Sequence, residues 1–150
     1  AVVTDGFGQP GNWSTGGMAV FNGGLYVGLL DPDGAQIWMT ENGTDWIEVM
    51  SGGFGNPENY KVESLVVKTN RLYAATNNDY GLEIWSSTDG ETWEPYLQAG
   101  FGDSYNSATL WSSATLVITN NLYYGTWNWG NGGEVWQLSQ YNNLIPLIVK

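Results

Sequence analysis

This chain of 150 residues keeps few of the side chains that perform chemistry: no Cys, no His, four Lys and Arg together, and fifteen Asp and Glu. Thiolate nucleophiles, imidazole bases and the usual zinc ligands are excluded by that inventory, so any acid–base work falls to carboxylates. What remains is a set of aromatic residues beside amides or carboxylates: Asn12-Trp13, Asn59-Tyr60, Asn106 with Trp111, Asp31 before Pro32-Asp33, Asp79-Tyr80 after Asn77-Asn78, and Trp127-Asn128-Trp129. A flat apolar ring next to planar donors and acceptors suits a sugar, whose pyranose face stacks while its hydroxyls hydrogen-bond. The competing expectation is that the recurring asparagines bond the backbone of their own loops. Asp31, Asp33 and Asp79 offer oxygens to calcium, but their spacing matches no loop with regular oxygen and glycine positions. No metal or cofactor is expected. Asn12-Trp13-Ser14 and Asn42-Gly43-Thr44 have the form of glycosylation acceptors.

The elements that must position these residues follow from an internal repeat. Gly6-Phe7-Gly8, Gly53-Phe54-Gly55 and Gly100-Phe101-Gly102 begin 47 residues apart, and Asn12, Asn59 and Asn106 follow at one offset. Leu25-Tyr26, Leu72-Tyr73 and Leu122-Tyr123 come next, the last displaced by three residues. Then come Trp38, Trp85 and Trp136, each ending a Gly-x-[Gln/Glu]-[Ile/Val]-Trp element; Trp46 and Trp93 stand eight residues further on. In the middle copy four apolar runs, 64–68, 71–76, 82–87 and 92–98, are bounded by Asn, Gly and Asp. Asn22-Gly23, Asn42-Gly43 and Asp89-Gly90 tolerate positive φ and read as two-residue turns of an antiparallel meander. The first run of each unit, unbroken in apolarity, is expected to be innermost and covered on both faces. The recurring tryptophans are expected to be packing residues.

A four-stranded meander repeating at this length resembles the blade of a β-propeller. The stretch 86–93, Ser-Ser-Thr-Asp-Gly-Glu-Thr-Trp, resembles the Asp-box hairpin of sialidase-type propellers with one residue missing between Asp89 and Gly90. It is similar, more loosely, to secreted bacterial and archaeal propeller repeats with a Trp-x-Ser-x-Asp-Gly-x-x-Trp hairpin. The resemblance implies architecture and no catalytic role. The expected fold is all-β: one domain, 1–150, of three four-stranded antiparallel blades at about 6–52, 53–99 and 100–150. Three blades cannot close a ring, so a homodimer of six is expected, with either 1–4 or 144–149 as the closing strand.

The net charge of −11 disfavours nucleic acid and anionic lipid, and no apolar run reaches the roughly 20 residues of a membrane helix. A chain opening at Ala1 with no charged-then-apolar leader is compatible with a secreted protein after signal removal or with a trimmed chain, and the expectation is a place outside the cell or on its surface. Paired carboxylates suffice for glycoside chemistry, but the single Arg71 is placed on the face opposite the candidate loops. The expectation is therefore a non-enzymatic, lectin-like module binding a glycan or protein ligand, with a structural or self-assembling scaffold as the alternative and a glycoside hydrolase behind both.

Overall fold

The computed structural model describes residues 1–97, 99–107, 115–138 and 144–147. Unit 1 contains β1 (Ser14–Phe21), β2 (Gly24–Leu30), β3 (Gln36–Thr40) and β4 (Ile47–Met50). Unit 2 contains β5 (Lys61–Lys68), β6 (Arg71–Asn77), β7 (Ile84–Ser87) and β8 (Glu94–Leu97). Unit 3 contains β9 (Asn106–Ser107), β10 (Thr115–Ile118), β11 (Asn121–Asn128), β12 (Glu134–Leu138) and β13 (Leu144–Leu147). Each unit is an antiparallel meander, and β9 and β10 pair with opposite ends of β11. A single bridge, Leu30 to Lys61, joins units 1 and 2.

Turn chemistry sets these pairings. Asn22-Gly23, Thr69-Asn70 and Thr119-Asn120 all have positive φ at both positions, between +46° and +85°. That is the type I′ conformation whose twist matches the flanking strands, so β1–β2, β5–β6 and β10–β11 are tight hairpins. In the outer hairpin of unit 2, Asp89 Oδ1 accepts from the backbone of Thr92 at 2.7 Å and of Glu91 at 2.9 Å, and from Ser87 Oγ at 2.9 Å. These three donors hold its carboxyl well below the usual carboxylate range.

The core lies between units, as the pleat of β6 makes plain. Leu72 and Ala74 point to unit 1 and pack with Phe21, Tyr26, Ile37 and Val62; Tyr73 and Ala75 point to unit 3 and pack with Ile84, Leu122, Tyr124 and Leu138. A sheet covered on both faces needs apolar side chains at successive positions, which is why Leu72 to Ala75 does not alternate.

A Phe is wedged against the tryptophans of each unit. Phe54 stacks on Trp85 with centroids 4.9 Å apart and meets Trp93 edge-on at 5.4 Å; Phe7 contacts Trp38 at 5.1 Å and Trp46 at 5.2 Å; Phe101 stacks on Trp136 at 4.6 Å. Phe7, Phe54 and Phe101 have φ of 61° to 62°, a left-handed conformation costing a side-chain-bearing residue about 1–2 kcal/mol. A glycine precedes Phe54 because a Cβ at Gly53 would stand 2.8 Å from the backbone oxygen of Asn59, and one follows because Gly55 has a φ of 86°.

Two boundaries differ from expectation. The apolar pattern starts the innermost strand of unit 2 at residue 64, whereas β5 starts at Lys61, because a charged pair on a bulge interrupts its hydrophobicity but not its pairing. Of the two terminal segments, Leu144–Leu147 pairs with β12, and residues 1–4 lie in no strand.

Trp85 is held by Phe54 and by a 3.0 Å bond from Nε1 to Glu83, while Trp129 is 74% exposed. Trp85→Ala should cost about 3–5 kcal/mol and Trp129→Ala under about 1, as read by urea denaturation; equal losses would mean that the Phe–Trp stack is not what stabilises the unit.

Candidate functional site

The loops leading into each unit and those joining its second strand to its third emerge on one face. The asparagines predicted there turn inward. Asn59 is wholly buried: its amide donates to Gly53 O at 3.0 Å and to Glu83 Oε2 at 2.7 Å, and its Oδ1 accepts from Thr76 and Asn78. Asn106, equally buried, repeats this with Gly100 O, Glu134, Thr126 and Asn128. Asn12 donates to Gly6 O and Gln36. One bond of each asparagine goes to the backbone of its own loop, at Gly6, Gly53 and Gly100, as in the alternative expectation, and the rest go to side chains.

Asp31 is also buried, accepting from Gln36 at 2.9 Å. Asn128 is 2% exposed and reaches Asp103 at 2.9 Å. Backbone donation from Tyr105, with help from Asn128, lowers the Asp103 carboxyl. The aromatics behave oppositely: Trp13 is 73% exposed, Tyr80 69% and Trp129 74%, and Trp127 lies 4.4 Å from Trp129 between centroids. Trp111 lies outside the described residues.

Unit 2 adds a charged group on this face. Tyr60 donates its phenol to Asp79 Oδ1 at 3.1 Å. Next to it Lys61 Nζ stands 2.9 Å from Glu63 Oε2, both side chains only 10% exposed. Glu63 sits at a bulge, because the β5–β6 register slips between Val62 and Ser64. Unit 1 has its own slip between Thr15 and Met18, at Gly16-Gly17. There a Cβ would fall within 2.0 Å of Val62 O and 2.2 Å of the Leu65 nitrogen, so the innermost strands meet backbone to backbone. Bulges of this kind re-aim a side chain out of the ladder. Burial, the Asp79 charge and hydrogen bond, and the Glu63 charge push the Tyr60 phenol up to about 12.

Lys61 and Glu63 were not among the predicted site residues. The one available signal was the break in repetition at that position: unit 1 has Gly16 where unit 2 has Glu63.

No protein-family model matches the sequence, and no characterised relative is found by sequence. Solved structures do match. A family 43 protein, GH43B, from the Bacteroides ovatus xyloglucan locus aligns over 90% of this chain and 30% of its own, at 10% identity and a TM-score of 0.62. A Bombyx mori GH32 β-fructofuranosidase covers 97% and 38%, at 12% identity and 0.60. A Clostridium thermocellum α-L-arabinofuranosidase of family 43 covers 91% and 56%, at 13% identity and 0.56. The chain thus spans about a third to a half of these proteins, and its fold is that of a β-propeller.

These neighbours overturn the expectation of a non-enzymatic, lectin-like module, since those named are glycoside hydrolases. That expectation leaned on the absence of His and clustered Arg, which glycoside chemistry does not require.

Since the folded state favours the protonated Tyr60 phenol, its contribution to stability is complete below the unfolded value of about 10 and lost as pH rises toward 12. A tyrosinate absorbance titration should show one component near 12 that disappears in Tyr60→Phe and moves toward 10 in Asp79→Asn. No difference between the protein and Asp79→Asn would mean that the phenol and carboxylate are not coupled.

Proposed function

We propose that this chain belongs to a β-propeller that cleaves glycosidic bonds, with Glu63 and Asp79 as the carboxylates of unit 2 that act on the substrate. The observation that carries the reading is Glu63: a carboxylate screened from water, balanced by Lys61, on a bulge of the innermost strand. Glycoside hydrolysis uses two carboxyl groups, one delivering a proton to the leaving oxygen and one acting as base or nucleophile. Glu63, ion-paired with Lys61, takes the charged role. Asp79, exposed at the rim and bonded by the Tyr60 phenol, is the second carboxyl group of the pair. Trp13, Tyr80, Trp127 and Trp129 give sugar rings flat apolar surfaces on the same face. The arabinofuranosidase, β-xylosidase and fructofuranosidase activities in the neighbours' names direct the choice of substrates.

The test is hydrolysis of nitrophenyl arabinofuranosides and xylosides and of sucrose. Glu63→Gln should lower kcat by about 10²–10⁴-fold at temperatures where the variant stays folded, and should also lower the melting temperature, because Lys61 is left buried without its counter-charge. No turnover of any of these substrates, or an undiminished rate in Glu63→Gln, would overturn the reading.

The ring that houses this site is proposed to close by homodimerisation, three units from each of two copies. Unit 1 exposes Met18 and Val20 beside a groove of about 440 Å³ lined by Val2, Phe7 and Leu25. At the other end Val117 and Val135 are exposed on unit 3. Covering such faces at about 25 cal/mol per Å² drives association. With −11 on each chain, repulsion opposes it and added salt should strengthen it. Sedimentation equilibrium should find twice the 16.5 kDa chain mass, with tighter association at higher ionic strength. A folded monomer at micromolar concentration would rule out closure by a second copy.

A further inference from the structure

Where three units repeat one plan, the places where a single unit departs from it carry information. Five departures fall in one pocket at the opposite end of unit 2 from the candidate site. Phe21, Gly24, Met39, Ile47 and Val49 of unit 1 correspond, 47 residues on, to Lys68, Arg71, Ser86, Glu94 and Tyr96. In unit 1 Phe21 belongs to the core; in unit 2 the same positions, with Thr69, Tyr73 and Pro95, line a polar pocket of about 500 Å³.

The charges in this pocket are unbalanced. Lys68 and Arg71 are directly paired across the last rung of the β5–β6 hairpin, so two cations project from the same face side by side, an arrangement that destabilises a sheet by itself. Lys68 is only 6% exposed and, among the described residues, no carboxylate lies within ion-pair distance of it. Partial burial lowers the pKa of its ammonium. Arg71 donates to Ser86 Oγ at 2.9 Å, and its one carboxylate, Glu94, is 3.8 Å away with its side chain 73% exposed. The whole chain has four Lys and Arg, and two of them meet here in a protein of net charge −11. Tyr73 and Tyr96, edge to face at 5.2 Å, form an aromatic wall beside them.

We propose that this pocket binds a small oxyanion, the carboxylate or phosphate of a soluble ligand, between Lys68 and Arg71. An oxyanion there supplies the counter-charge that the fold withholds from Lys68 and gives the Arg71 guanidinium a planar acceptor. The pocket stands apart from Glu63, so its occupancy is tested separately from hydrolysis.

Thermal unfolding of the full chain should be followed against inorganic phosphate and against glucuronate, each with sodium chloride at matched ionic strength as reference. Occupancy predicts a saturable rise in melting temperature with at least one of them, since a ligand of the native state stabilises by mass action. A response to phosphate alone identifies a phosphate ligand, and a response to glucuronate alone a carboxylate. Lys68→Met, an apolar replacement like the residues of the sister units, should raise the melting temperature in chloride and weaken oxyanion affinity at least about tenfold. Arg71→Gln should weaken it as well. No saturable rise with either anion, or a rise that survives Lys68→Met unchanged, would overturn the proposal.

Discussion

Asn59 makes all four hydrogen bonds that its amide side chain can make, and they reach three separate parts of the chain. Its NH₂ ties the left-handed turn at Gly53 to Glu83 on the approach to β7, and its carbonyl gathers Thr76 of β6 and Asn78 beyond it. Its backbone oxygen accepts from Ala35 of the preceding unit at 2.7 Å. Asn106 does the same between units 2 and 3, its backbone oxygen accepting from Leu82 at 2.9 Å. A buried amide with an unmet group costs about 1–3 kcal/mol, so these four bonds fix the asparagine within its own unit, and its backbone oxygen carries that fixed position to the unit before. Each junction thus combines backbone bonds from a fixed loop with the apolar contacts between sheets.

The aromatic wedge depends on that same junction. Phe54 adopts its left-handed backbone because Gly53 and Gly55 turn the chain with it and Asn59 closes the turn from behind. Glu83 holds both Asn59 and Trp85 through one carboxylate oxygen, so the polar junction and the aromatic stack share an atom. Glu134 does this in unit 3, and Gln36 in unit 1 with an amide oxygen. The strain of a left-handed Phe, about 1–2 kcal/mol, is offset by a ring contact with Trp85 on one side and Trp93 on the other.

Much of this was legible in the residues. The offsets of Gly-Phe-Gly, Asn and Trp mark the repeat, and Asn-Gly or Asp-Gly marks hairpins, because turn chemistry and ring packing act locally and tolerate few substitutes. The candidate site was less legible. Asn59 and Tyr60 are neighbours in sequence, yet one is wholly buried and the other presents its phenol to Asp79, a division made by how the chain enters β5. Lys61 and Glu63 hid in the same strand, since a bulge breaks the alternation by which a strand is recognised. Trp127 and Trp129 stack on each other with Asn128 buried between them in sequence, which follows from the pleat of β11 and from no motif.

Repetition and its failure thus divide the labour. A residue kept in all three units, such as the Phe of each Gly-Phe-Gly, answers a demand of the fold that recurs in each unit, and changing it disturbs packing before anything else. A residue that one unit alone possesses answers no such demand. Gly16 shows that the bulge accommodates no side chain in unit 1, so Glu63 stands in unit 2 for a reason other than strand geometry. The argument is stronger for Lys68, because Phe21 shows that the same hairpin position is filled without charge. Drawing an ammonium partly out of water is unfavourable unless something compensates it, and among the described residues no carboxylate pairs with Lys68. A charge that lowers stability and is not needed for architecture is to be explained by what it holds.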